Sequence, residues 1–151
     1  MNPTETYRYA LETTLAEEGG LSDHPADMGG RTYKGVTTVT YNAYRASRGL
    51  EPQDVTLISQ AELEDVYRSY WTAIDGDTLP PGLAIVAFDV SINSGPGRAR
   101  AWLAEGHKTP SAFTARRLQH FTELSTWEVF GRGWTRRAGR VLMAAERLTT
   151  A

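Results

Sequence analysis

The stretch GLAIVAFDVSIN, residues 82–93, is apolar almost all the way round a helix, with Asp89 and its last residues as the polar exceptions. A helix without a polar face has to be enclosed by other elements, so the remaining amphipathic segments must pack around this one. Pro80 and Pro81 restart the chain before it, and Asn93, Ser94 and Gly95 break it afterwards. The longest apolar run, GLAIVAFDV, is far short of the roughly 20 residues that cross a bilayer. A central buried helix is therefore predicted, within 151 residues that suffice for one sizeable core and one domain.

The other segments supply its coat. Asn2, Pro3 and Glu5 form a helix start, and Tyr7, Leu11, Leu15 and Glu18 recur at helical spacing, which predicts a first helix over about 3–18. Gly19 and Gly20 end it. The only plausible β region is RTYKGVT, short, β-branched and aromatic, which suggests a small hairpin. A helix over about 40–47 follows. Ser59 and Glu62 then make a capping box before the stripe Leu63, Val66, Tyr67, Tyr70, Trp71 and Ile74. After the central helix, shorter helices are predicted over about 96–103, about 110–124 (anchored by Phe113, Leu118 and Phe121) and about 135–148. The fold class is mainly α, or α+β with a minimal sheet: six or seven helices and one small β-hairpin near the N-terminus.

Composition is that of a folded protein, 40% hydrophobic and 23% charged, with no cysteine and three scattered histidines. Disulfides and thiolate metal sites are excluded, and neither a metal nor another cofactor is expected. His24 beside Asp23 has no second histidine at ligand spacing. Net charge is −2, but residues 1–75 carry 6 basic and 12 acidic groups against 10 and 6 in residues 76–151. So small an excess usually marks a solvated surface, and no nucleic-acid partner is expected. MNPTETYRYALETTL lacks the basic start and apolar core of a secretory signal, so synthesis in the cytoplasm is expected.

One segment carries chemistry. EEGGLSDHPADMGGRTYKGVT, residues 17–37, sets four acidic residues and five glycines between two helical patterns. Glu18 lies eleven positions after Tyr7 and seven after Leu11, on the predicted inner stripe, while Glu17 is rotated by about 100° toward water. A carboxyl group at the negative end of a helix dipole, facing partly apolar surroundings, has its charged form penalised. A general acid working near neutral pH needs that setting, and Glu18 is the candidate. Asp27, in a polar loop, is the candidate base, and the hydroxyl of Thr32 is placed to help hold a water against it. Short acidic loops are common, and on this pattern alone a helix end, a turn and a strand are a better fit than catalysis.

Glu18-Gly19-Gly20, Asp27, Gly29-Gly30, Thr32 and Gly35-Val36-Thr37 together resemble the N-terminal motif of the lysozyme-like glycoside hydrolase family 108. AFDVSINSGPGRARAWL, residues 87–103, resembles the family's second signature. FGRGWTRRAGRVL, residues 130–142, with Gly133, Trp134 and Arg137, resembles the motif near the end of its predicted C-terminal peptidoglycan domain. Leu21, Tyr33 and Lys34 depart from residues common in the family. The resemblance implies a lysozyme-like fold, residues 1–80 forming the half with the catalytic motif and 81–151 the half that resembles the peptidoglycan domain.

It also implies a phage- or prophage-type endolysin that cuts bacterial peptidoglycan between N-acetylmuramic acid and N-acetylglucosamine without a cofactor. On that reading Glu18 protonates the glycosidic oxygen while Asp27, helped by Thr32, directs a water to the opposite face, an inverting reaction. Tyr33, Asp89 and Asn93 are the candidate substrate contacts. For Asp89 and Asn93, four apart on the central helix, hydrogen bonds that fix the helix end are the competing account. Trp71, Trp102 and Trp134 are assigned to packing, and Arg132, Arg136, Arg137 and Arg140 to a solvated face or to anionic wall groups. A monomer is expected, without membrane insertion, acting on the wall in the periplasm or outside the cell after delivery by a holin or a phage particle. The alternative is a noncatalytic wall-binding or assembly module on the same fold.

Overall fold

The computed structural model of the chain describes residues 1–18, 21–22 and 32–149. Asp27, His24 and the glycines at 19, 20, 29 and 30 lie outside the described residues. Among those described there are seven α-helices and one small antiparallel sheet: α1 (Pro3–Glu17), β1 (Leu21–Ser22), β2 (Thr32–Tyr33), β3 (Val36–Thr37), α2 (Thr38–Ser47), α3 (Gln60–Ala73), α4 (Pro81–Ser94), α5 (Pro96–Ala104), α6 (Pro110–Glu123) and α7 (Trp127–Thr149). Short 3₁₀ turns at Val55–Leu57 and Gly76–Thr78 flank α3. The mainly α class with a hairpin near the N-terminus is therefore what the chain adopts, with β1 added to the free edge of β2.

Local chemistry sets the helix ends. Asn2 accepts from the Glu5 amide while its own amide donates to the Glu5 carboxylate, both at 2.9 Å, closing a capping box on α1. Ser59 and Glu62 do the same for α3 at 3.1 Å. Replacing Ser59 by alanine leaves the Glu62 amide without its acceptor and should cost about 1 kcal/mol in chemical denaturation.

The central helix is α4: every residue from Gly82 to Ile92 is buried. Helices α1, α3, α5, α6 and α7 all pack against it. Tyr7, Trp71 and Phe88 join α1, α3 and α4 through edge-to-face contacts with centroids 5.2–5.8 Å apart.

Two expectations need correction. The buried face of α1 is Thr6, Ala10 and Thr14; Tyr7 and Leu11 are only partly buried, and Leu15 is 38% exposed. Small side chains let α1 approach α4 closely, so the inner stripe is rotated by about one residue from the apolar one. Glu17, three after Thr14 and seven after Ala10, continues that inner stripe instead of facing water. The last helix starts at Trp127 rather than near Thr135. Its glycines are not breakers: the Trp127 ring lies over Gly131, where an added Cβ would come within 2.5 Å of it.

Candidate functional site

The hairpin turn explains where Glu18 sits. Lys34 (φ 52°) and Gly35 (φ 79°) both have left-handed backbone between the paired residues Tyr33 and Val36, the two-residue turn that matches strand twist. The buried Tyr67 of α3 donates its hydroxyl to the Lys34 carbonyl and ties the turn down. Gly35 then lies flat against Glu18: a Cβ there would stand 2.9 Å from the carboxyl carbon. The Glu18 amide still donates to Thr14 and Leu15 carbonyls, but ψ of 129° turns the chain out of α1. Its carboxyl is thus fixed where α1, the hairpin and α7 meet.

A cleft of about 440 Å³ opens at this junction. Helix α1 contributes Glu17 and Glu18, the sheet Thr32, Gly35 and Thr37, and α4 Ile92 and Asn93. Helix α7 forms the remaining wall with Phe130, Gly133, Trp134, Arg137 and Arg140. The Trp134 ring stands 5.7 Å from Phe130 and 5.3 Å from Phe121, so one edge of the cleft is aromatic. A larger hollow of about 600 Å³ near the start of α1, between Arg8, Tyr9 and Leu148, contains none of the predicted site residues.

The apolar setting anticipated for Glu18 is replaced by an ion pair. Arg137 Nη2 lies 2.6 Å from Glu18 Oε1, with the glutamate side chain 13% exposed. One turn along α7, Arg140 grips Glu17 through both Nε and Nη2 at 2.6–3.0 Å. Two adjacent glutamates therefore meet two arginines three residues apart, which share one side of a helix.

Behind Arg137 lies Asp89, 0% exposed. It accepts from Arg137 Nε and Nη2 at 3.0 and 2.9 Å and from Thr14 Oγ1 at 2.9 Å, and its other partner is Arg117 Nη1 at 2.8 Å. Arg117, 2% exposed, donates through Nη2 to Asn93 Oδ1 at 3.1 Å, while its Nε is buried with no hydrogen-bond partner among the described residues. Two carboxylates, Glu18 and Asp89, thus alternate with two guanidiniums across α1, α4, α6 and α7. Burial alone would raise the Asp89 pKa; Arg137 and then Arg117 overcome this and hold it at about 2. Burial works against the charge on Arg137, and Asp89 and Glu18 more than reverse it, pushing its pKa up. Tyr67 is pushed up by burial and then by the Glu18 carboxylate.

Of the predicted site residues, Glu18, Thr32 and Asn93 come together in the cleft. Asp89 does not reach it; the account that fits its position is the competing one, hydrogen bonds that fix the helix. Tyr33, adjacent to Thr32 on β2, points to the other face of the strand and packs on the core, with Lys34 Nζ 5.4 Å from its ring centroid. Sequence reasoning missed Arg117, Arg137 as a partner of Glu18, and the aromatic edge. A signal for Arg117 existed: it stands midway between Phe113 and Phe121, four residues from each, on the inner stripe of α6. Leu118, taken as an anchor, is 38% exposed.

The model of the Glycosyl hydrolase 108 family matches residues 11–95, which include α1 from Leu11, the hairpin and α4. The match ends before the third motif, residues 130–142. A solved structure described as that of Brucella abortus SagA is similar over 95% of both chains, with 29% identity and a TM-score of 0.83. No curated protein matches the chain. The family match spans more than half of the residues, and it takes in Glu18, Thr32 and Asn93, the residues gathered around the cleft: the chain belongs to the glycosyl hydrolase 108 family.

Proposed function

We propose that the chain is a peptidoglycan hydrolase that cuts the glycosidic bond between N-acetylmuramic acid and N-acetylglucosamine, with Glu18 as general acid. The observation that carries this reading is the placement of the Glu18 carboxyl, pinned between Gly35 and Arg137 inside a cleft with an aromatic edge. A cleft of this volume is in the range of small-ligand sites. Trp134 offers an apolar face to a sugar ring, and Asn93 and Thr32 offer polar contacts.

The acid step is a proton transfer from Glu18 to the glycosidic oxygen as the bond to the anomeric carbon breaks. Arg137 Nη2 is shared between Glu18 and Asp89, at 2.6 and 2.9 Å. When Glu18 carries its proton, Arg137 keeps Asp89 as counterion. When the proton leaves, the carboxylate finds a guanidinium already in place, needing no rearrangement. Asp27, helped by Thr32, directs a water to the opposite face and takes its proton as the new bond to the anomeric carbon forms, and inversion follows.

Digestion of purified peptidoglycan, read by reducing-end assay and mass spectrometry, tests the reaction. Hydrolysis gives fragments with a reducing N-acetylmuramic acid end, one water heavier than the anhydro ends left by a lytic transglycosylase. An amidase instead releases free peptides. The direct Glu18–Arg137 pair also supports a second reading, a wall-binding module whose glutamate is permanently engaged; a folded protein that sediments with cell walls but releases no reducing ends establishes it.

Gly35 provides a geometric check. Gly35→Ala puts a side chain at φ 79° and against the Glu18 carboxyl. It should cost about 1–2 kcal/mol in stability. By displacing the acid it should also lower turnover by about tenfold to a hundredfold with little change in KM.

A further inference from the structure

We propose that α7 carries a second binding element, a row of arginines that takes the free carboxylates of the peptide stems borne by the glycan; this rests on the hydrolase reading above. Arg132, Arg136 and Arg140 are spaced four residues apart, so they line one side of α7 over about 12 Å. Arg140 stands at the cleft, 58% exposed, with Glu17 as its partner. Arg132 and Arg136 are exposed and form no ion pair among the described residues. Arg132 and Arg136 therefore flank the α7 wall of the cleft as positive charge that no described residue pairs. Guanidinium is the side chain whose fork matches a carboxylate.

Gly133 connects the two surfaces. It lines the cleft, and by helical rotation it lies between Arg137, which faces Glu18, and Arg136, which faces solvent. Glycine inside a helix costs about 1 kcal/mol relative to alanine. At Gly131 the Trp127 ring explains that cost; at Gly133, as at Gly139, a Cβ would meet nothing within 4 Å among the described residues, and of these two only Gly133 lines the cleft. What the missing side chain provides is a bare saddle over the helix backbone. A muramic acid ring seated by Trp134 has its peptide substituent leaving the cleft, and the saddle gives it a path to Arg136 and Arg132.

The experiment compares initial rates on intact peptidoglycan with rates on the same material after its stem carboxylates have been converted to neutral amides, at low and at moderate salt. The wild type should prefer the strands with free stem carboxylates by about tenfold at low salt, and salt should reduce the preference. Arg132→Gln with Arg136→Gln should bring the ratio of the two rates close to one. Circular dichroism confirms that each variant is folded, and for a variant that is not, Arg132→Lys with Arg136→Lys replaces it, with a partial loss of preference expected.

A ratio unaffected by the arginine variants overturns the stem proposal and leaves the hydrolase reading standing. So does a loss that is equal on both substrates or that follows a phosphate-bearing wall polymer instead of the stems. A wild type that cuts neither substrate overturns both.

Discussion

Asp89→Asn should destabilise the chain by about 3–5 kcal/mol, a large part of what a domain of this size has. The substitution keeps the shape and a hydrogen-bond acceptor but removes the carboxylate that lies between two buried guanidiniums. Arg117 would be left with the neutral Asn93 and an already unpartnered Nε, and Arg137 with Glu18 alone. Arg117→Met should cost much less, because Asp89 keeps Arg137 and Thr14 and a buried charge with an orphaned nitrogen is removed. Combined with Arg117→Met, the Asp89 substitution should cost clearly less than the two single effects added, since one stranded guanidinium is gone. Urea unfolding at pH 7 measures all three. An additive cycle would mean that the charges are not coupled.

The same residue sets an acid limit. With its folded pKa at about 2, below the unfolded value of about 3.9, Asp89 stabilises the folded chain above about pH 4. That stability, on the order of 2 kcal/mol, is lost as pH falls toward 2. Between pH 4 and 2 the wild type should therefore lose stability more steeply than Asp89→Asn, which has no such group to protonate.

These effects were hard to foresee because periodicity reports which residues are apolar, not which are inside. It served well where the two coincide, in the all-round apolar α4 and the stripe of α3 from Leu63 to Ile74. It failed on α1, where close packing on α4 selects Thr6, Ala10 and Thr14 and leaves Leu15 outside. The offset of one residue sent Glu17 to solvent on paper, whereas in the structure it meets Arg140. Spacing put Asp89 and Asn93 on one face of α4, but not at different depths: only Asn93, in the last turn, reaches the cleft. The partners of Glu18 and Asp89 lie 119 and 48 residues further along the chain in Arg137, a distance over which no local pattern speaks. The hairpin itself was legible in RTYKGVT, but that its Lys34-Gly35 turn sets Gly35 against Glu18 is seen only in the structure.

Glu18→Gln should lower the rate of peptidoglycan cleavage by about a hundredfold to ten-thousandfold, the range supplied by a positioned general acid. Glutamine fills the same space beside Gly35, and its amide oxygen accepts from Arg137 Nη2. Asp89 still compensates Arg137, so melting should move by only a few degrees. What is lost is the proton. Glu17→Gln is the matched control: it sits in the same cleft, is paired with an arginine from the same helix and differs in having a largely exposed partner. Its pair is screened by solvent at the exposed Arg140, so the rate should fall by less than about tenfold. If the two variants lose activity equally, the acid is not Glu18 and the cleft acts through its charge alone. If wild type and Glu18→Gln sediment equally with cell walls and neither releases reducing ends, the wall-binding reading replaces the hydrolytic one. A dead, folded Glu18→Gln beside a working Glu17→Gln leaves the proton on position 18.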